Sequence, residues 1–311
     1  MDFSRDEYYV ENVTPTHHRC LKLRDRIFCE SSEFQRIEVV DTHDYGRMLV
    51  LDGTIQATER DTFIYHEVLV HPPLLMQQSP ASVLVVGGGD GGVLVELLKH
   101  RSVEKVIIVE IDEMVIDASR RHLQNVCGTA FDDPRIELRI ADGRKFIETS
   151  PETFDLIVLD LTDPIGPSKS FYTREAYEYL LRRLGPTGVV ATHAGGWFDY
   201  PKVTSTIVTT LGSVFNHVAV FPIHVSSYAM EIAFTYASQS VNVGSFPAGT
   251  FADRYAALCN DAELSYVTAD FVERMAFQPV LMRKCLRSSD RVSTDEDPLE
   301  FTDYYPWGLS E

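Results

Sequence analysis

The chain has 311 residues, long enough for one large domain or two smaller ones. It is 44% hydrophobic and 24% charged, near the average of soluble globular proteins, which excludes both disorder throughout and a small disulfide scaffold. Against 28 Lys and Arg stand 46 Asp and Glu, a net charge of −18. Such a surface repels phosphate backbones, argues against a nucleic-acid partner and suits a polycationic ligand.

Met1 to Tyr9 is charged and has no apolar signal core. No apolar run approaches the ~20 residues of a membrane span, so no membrane association is expected. The cysteines, Cys20, Cys29, Cys127, Cys259 and Cys285, are dispersed, odd in number and never in C-x-x-C spacing. Neither a metal site nor a disulfide framework is expected, and the reducing cytoplasm is the expected home.

Residues 1 to about 70 read as a hairpin-rich N-terminal β domain. Phe34–Val40 alternates as a half-buried strand does, Asp41–Gly46 is turn-rich, Arg47–Leu51 is a second strand, and Leu51-Asp52-Gly53 makes another turn. A helix is predicted over 62–76, ending near Pro72-Pro73. From Ser82 the pattern changes. Val83-Leu84-Val85-Val86 is a wholly apolar run, as in a strand buried on both faces. A glycine cluster follows, then a helix over 92–99, a buried strand over Lys105–Glu110, and a helix over Met114–Leu123. Strands are predicted at Arg135–Ile140 and Leu156–Asp160, a helix over Tyr172–Leu184 closed by Gly185-Pro186, and a strand at Gly188–His193. Strands near 216–222 and 231–238 complete a doubly wound, largely parallel sheet spanning residues 71–287. The acidic tail, 288–311, lacks apolar periodicity and is expected to be loosely held.

Three strand ends carry candidate chemistry. Gly87-Gly88-Gly89-Asp90-Gly91-Gly92 matches G-x-G-x-x-G between a strand and a helix, with Glu110 placed 18 residues beyond the last glycine. Such a loop lets backbone approach a nucleotide, and the acid grips ribose hydroxyls; a nicotinamide cofactor and an S-adenosyl compound both fit. Asp90 narrows the choice, because a carboxylate inside the loop repels a pyrophosphate and favours a ligand ending in an ammonium. The plainer alternative is that Asp90 only caps the next helix. Asp160-Leu161-Thr162-Asp163-Pro164-Ile165-Gly166-Pro167 opens where an apolar strand ends, and Asp142-Gly143 lies at the same sheet edge. Ligands bind at the carboxyl ends of such strands, so these acids converge on one anionic pocket.

With these motifs the sequence resembles the spermidine synthase family of aminopropyltransferases. The resemblance rests on Ser32–Ile37, Leu51–Asp61, Tyr65-His66-Glu67, the loop Gly87–Gly92, Glu110-Ile111-Asp112, Asp142-Gly143 and Asp160–Pro167. It implies an N-terminal β domain, a Rossmann-like α/β domain of methyltransferase type, and a homodimer or homotetramer. It implies transfer of the aminopropyl group of decarboxylated S-adenosylmethionine, a co-substrate rather than a cofactor, to a primary amine of polyamine type, releasing methylthioadenosine. Carried over residue by residue, Gln35 and Pro167 line the adenosine pocket with Gly143, Glu110 takes the ribose hydroxyls, and Asp142 faces the adenine amino group. Asp90 binds the aminopropyl ammonium. Tyr65, His66, Asp163 and Tyr228 line the amine channel, and Asp160 is the catalytic base.

The pattern departs from a putrescine-using member in four places. Ser168-Lys169-Ser170 follows Pro167, and a lysine there repels a cationic acceptor if it points inward. Val225-Ser226-Ser227-Tyr228 keeps the tyrosine but not the usual proline. Tyr266–Phe271 lacks the expected histidine. Thr192–Phe198 carries the Ala-Gly variant that goes with longer acceptors or agmatine; His193 within it reads as a packed strand-end histidine. The acceptor therefore stays open. The competing readings are an S-adenosylmethionine-dependent amine N-methyltransferase, a non-catalytic regulatory paralogue and a nicotinamide oxidoreductase. Asp90 weighs against the first and last, and intact Asp90, Asp160 and Asp163 against the second.

Overall fold

The computed structural model describes residues 4, 7–14, 17–245, 249–258, 263–275 and 277–300. Cys259 and the tail beyond residue 300 lie outside the described residues, as does most of the charged N-terminus. Two sheets organise the chain. The first is an antiparallel meander of β1 (Tyr8–Thr14), β2 (His17–Ser31), β3 (Arg36–Thr42), β4 (Gly46–Leu51) and β5 (Thr54–Thr58) in sequential order. The turn at Asp52-Gly53 joins β4 to β5 with both residues in the left-handed region. The long β2 twists through two register shifts against β3.

The second unit follows directly: α1 (Thr62–Leu75), β6 (Ser82–Gly87), α2 (Gly92–Leu98), β7 (Lys105–Glu110), α3 (Glu113–His122), α4 (Gln124–Cys127), β8 (Ile136–Ile140), α5 (Gly143–Thr149), β9 (Phe154–Asp160), α6 (Arg174–Arg183), β10 (Leu184–Gly196), α7 (Pro201–Gly212), β11 (His217–Val225) and β12 (Met230–Ser238). Three short helices, α8 (Thr250–Leu258), α9 (Ala269–Arg274) and α10 (Val280–Cys285), close it. The sheet order is β11-β12-β10-β9-β6-β7-β8. From β10 to β8 every pair is parallel, while β12 runs antiparallel to both neighbours.

The apolar runs explain this sheet. In β6, Val83 and Val85 pack on the face covered by α1 and α2, while Leu84 and Val86 pack on the face covered by α6 and α7. Each of these side chains is essentially fully buried, contributing about 1.5–3 kcal/mol apiece. Parallel order brings Gly87, Glu110, Ile140 and Asp160 to the same edge. A smaller core of Ile37, Val39 and Leu49 against Val115, Ala118 and Leu123 seats the first sheet on α3 and α4. Among the described residues, no helix is long and apolar enough to cross a membrane.

Three expectations need adjustment. The boundary at residue 70 falls inside α1, which packs on the second sheet and not on the first. Gly185-Pro186 does not separate a helix from a loop: β10 already begins at Leu184, and its pairing with β9 is irregular between Leu184 and Val189 to accommodate them. The tail is not loosely held over residues 288–300. Polar groups replace the missing apolar periodicity: Ser205 and Thr209 donate to Ser289 O, Ser293 N–H donates to Thr210, and Ser293 and Leu299 are wholly buried.

Candidate active site

A cavity of about 960 Å³ opens at the carboxyl edge of the parallel strands and is roofed by β1, β4 and β5 of the first sheet. Gly87 has a φ of +79°, and a Cβ there would meet Asp160 O at 2.1 Å. Only glycine lets this turn lie against the end of β9, where Gly88 N–H donates to Asp160 O at 3.0 Å. That contact fixes Asp90 and Asp160 side by side.

Asp90 is buried, and its Oδ1 accepts from Gly92 N–H at 2.7 Å. The N-cap position of α2 is Gly91, so Asp90 folds back on the first helical amide from outside the cap, while its Oδ2 is turned the other way, 3.4 Å from His66 Nε2. His66 lies behind the two carboxylates. Its ring occupies the space a Gly92 side chain would take, its Nδ1 pairs with Thr62 Oγ1 at 3.2 Å, and its Nε2 is 3.9 Å from Asp160 Oδ2. Burial pulls the imidazole pKa down, but Asp90 first and then Asp160 and Glu96 outweigh it and raise it to about 9. His66 is thus an imidazolium at neutral pH and does not line the cavity wall, in contrast to its expected place in the amine channel.

Asp160 titrates at about 7, pushed up by burial and by Asp90 against the pull of His66 and a Tyr65 hydrogen bond. Its Oδ2 is buried without a hydrogen-bond partner, as is Asp163 Oδ1. Buried orphan acceptors are costly, and both point to donors supplied by a ligand. Burial also raises the Asp163 carboxyl, offset in part by His193. His193 itself is occupied: Nε2 lies 2.8 Å from Leu161 O, and Nδ1 accepts from Gly195 N–H at 3.2 Å. It is a packed strand-end residue with no free nitrogen for proton transfer.

His66, Asp90 and Asp160 present ligand atoms all within 4.8 Å of one another, the geometry of a metal site. A protonated imidazole has no lone pair to offer a metal, so metal binding here would have to displace the His66 proton.

Further along the edge, Glu110 is buried and its carboxyl is raised to about 7, by burial against the Asp112 and Ile111 amides. Gln35 reaches it only indirectly: Gln35 Nε2 and Ser32 Oγ donate to Asp112 Oδ2 at 2.9 and 2.7 Å. Asp112, quoted in the motif but given no role, is the joint that holds the first sheet's loop to the end of β7. Asp142 caps α5 through Arg144 and Lys145 N–H. Gly143 is required because a Cβ would meet Val86 Cγ1 at 2.6 Å. Pro167 lies on the wall formed by a 3-10 turn, Gly166–Phe171. Tyr65 packs edge-on to Tyr228 at 5.9 Å, and Tyr228 OH donates to Gln56 O of β5. Gln35, Tyr65, Asp90, Glu110, Asp142 and Gly143 thus meet Asp160, Asp163, Pro167 and Tyr228 around one cavity. Glu67, also in the Tyr-His-Glu motif, faces away: its carboxylate accepts from the Ser265, Tyr266 and Val267 amides.

Comparison with known proteins agrees with this geometry. Residues 62–245 match the spermine/spermidine synthase domain, and residues 8–59 match the spermidine synthase tetramerisation domain, which supports oligomer formation. A polyamine aminopropyltransferase of Aeropyrum pernix is 36% identical over 94% of both chains. A thermospermine synthase of Arabidopsis thaliana is 41% identical over 74% of this chain and 69% of its own. A crystal structure of spermidine synthase in complex with the transition state analogue AdoDATO superposes with a TM-score of 0.85 at 31% identity, covering 93% of this chain and 97% of that one. The chain belongs to the spermine/spermidine synthase family and is a polyamine aminopropyltransferase.

Proposed function

We propose that the enzyme moves the aminopropyl group of decarboxylated S-adenosylmethionine to an acceptor longer than putrescine, such as spermidine or agmatine. The carrying observation is the pair of orphaned buried oxygens, Asp160 Oδ2 and Asp163 Oδ1, on a cavity that continues to Glu11 and Asn12 of β1. A polyamine donates to such acceptors along its length. The similarity to a thermospermine synthase supports the reading, because a tetraamine product implies a triamine acceptor.

In this reading Glu110 takes the ribose hydroxyls, Asp142 faces the adenine amino group, Gln35, Gly143 and Pro167 line that pocket, and Asp90 binds the donor ammonium. Tyr65, Asp163 and Tyr228 line the amine channel, with His66 behind it. The acceptor amine attacks the carbon beside the sulfonium. The new N–C bond forms as the C–S bond breaks, the electron pair stays on the sulfur of methylthioadenosine, and the proton passes to Asp160. His66 serves this step electrostatically. With the imidazolium, the donor ammonium and the sulfonium already facing two carboxylates, the attacking amine is favoured in its neutral form. Holding two cationic reactants in line supplies much of the acceleration. No cofactor or metal enters this scheme, and we place the chain as a homodimer or homotetramer in the cytoplasm.

A product assay by mass spectrometry tests it, with decarboxylated S-adenosylmethionine offered to putrescine, agmatine, cadaverine, spermidine and norspermidine in separate reactions. A higher kcat/KM for putrescine than for every longer amine refutes the acceptor assignment. Methylated amine from intact S-adenosylmethionine, with no aminopropyl product, refutes the donor assignment.

A further inference from the structure

We propose that the C-terminal strap, residues 288–300, is a specificity element that neutralises the cations on the wall of the substrate cavity. The proposal rests on the polyamine reading above. Among the described residues, carboxylates outnumber cations on the cavity wall, and the only Lys or Arg side chains there are Arg144 and Lys169. Both are held by acids of the strap. Lys169 Nζ sits 2.8 Å from Glu300, and Arg144 Nη2 sits 2.6 Å from Asp295.

The strap is built for this place. Ser289 is fixed to α7 by Ser205, Thr206 and Thr209, Arg174 N–H donates to Ser293 O, and Leu299 is wholly buried one residue before Glu300. Asp295 also accepts from Thr173 at 2.6 Å. The strap therefore braces the 166–173 wall while placing one negative charge against Lys169 of that wall and another against Arg144 of α5. Arg144 has further partners in Glu148, Ser170 O and Thr173. Lys169 is paired through Glu300 alone among the ion pairs of the described residues.

This difference makes Glu300 the decisive residue. A lysine ammonium on a flexible stem is a mobile point charge. Pairing with Glu300 draws it toward the strap. Without that partner its charge is free to act on the cavity, where it opposes every cationic acceptor, and a trication more than a dication. Both ends of the pair are about half exposed, so the effect is screened by salt.

The test uses the full chain as wild type, Glu300→Gln, and Glu300→Gln with Lys169→Met. KM is measured for spermidine and putrescine at low and high ionic strength, with an inhibition constant replacing KM for an amine that is not turned over. Glu300→Gln is expected to raise the spermidine value about 3- to 5-fold at low salt, the range of an exposed charge interaction. The putrescine value should rise less, and kcat should stay near wild type. High salt and the added Lys169→Met change should each abolish the rise. An unchanged spermidine value overturns the proposal. So does a rise that is equal for both amines, or one that survives in the double variant, since either marks a merely structural strap. Absence of aminopropyl transfer in the wild type defeats the polyamine reading instead.

Discussion

Two buried histidine–carboxylate clusters sit on the same pair of elements, and they do different work. At the site end, His66 of α1 faces Asp90, just before α2, and Asp160. Five residues on, His71 of α1 lies 2.8 Å from Glu96 of α2 and 2.8 Å from His100, and Lys99 completes the Glu96 shell at 2.6 Å. In the second cluster both His71 nitrogens are used, and no polar atom of its residues is among the buried orphans. The first leaves Asp160 Oδ2 unpartnered at the wall of a cavity. Burial of a histidine and an acid does not by itself mark a site; an acceptor left unsatisfied beside open space does.

The largest expected effect breaks the first cluster. Asp160→Asn keeps shape but accepts no proton. It should cut kcat by ~10²–10⁴, the range for losing a general base, while donor affinity stays near wild type. Steady-state kinetics with calorimetric donor titration check this. Retention of more than about a tenth of kcat, with chemistry rate-limiting, would make Asp160 an electrostatic anchor only.

His71→Leu breaks the second cluster and should show the opposite pattern. It removes the imidazole that bridges Glu96 and His100 in the core, for a stability loss of about 3 kcal/mol. Denaturant unfolding should reveal that loss, and kcat per folded molecule should not move. A fall in kcat without loss of stability would show that the two clusters are coupled along α1.

Asp90→Ala comes next, at about 2 kcal/mol of donor affinity for a lost charge-assisted contact. The preference for the decarboxylated donor over intact S-adenosylmethionine should narrow. Titration of both ligands into both proteins decides it, and an unchanged affinity ratio sinks the assignment of Asp90 to the ammonium.

These two clusters also show how far a sequence can be read. The strands that end in Glu110 and Asp160 were legible because apolar runs buried on both faces leave a strong signal. The glycine loop was legible because few folds need Gly87 and Gly92 at that spacing. His66 was legible as a site residue, but its place behind the carboxylates was not, since that depends on Gly92 leaving room for the ring. Nothing in the spacing of His71, Glu96 and His100 announced a network, because its partners meet only when α1 packs on α2. The Glu67 nest and the strap are of the same kind. Their bonds run over at least 198 and 80 residues respectively, to backbone amides and hydroxyls that carry no pattern along the chain.

The smallest effect is a shift in pH dependence, and it separates the clusters by sign. His66 holds its proton to about pH 9 in the folded protein against an ordinary value of 6.5. Its contribution to stability is therefore complete below about 6.5 and fades as pH rises through about 9. Glu96 goes the other way. Burial pushes its pKa up, but His71 and Lys99 more than offset that and hold it below its ordinary 4.5. Its contribution is present above that value and is lost as pH falls through the lower folded value. Kinetics should feel only the first cluster. Wild-type kcat/KM should rise with pH through the neutral range as Asp160, near 7, and the acceptor amine lose protons. His66→Gln removes the positive charge that lowers the Asp160 pKa, so the rise should move to higher pH by about one unit, the scale of a single neighbouring charge. Rate profiles from pH ~6 to ~10, with unfolding followed in parallel, make the comparison, the range spanning both the carboxylate and imidazole pKa values. A rise that stays in place, or moves to lower pH, would mean that His66 is not charged beside Asp160 and that its pairing with Asp90 is only structural.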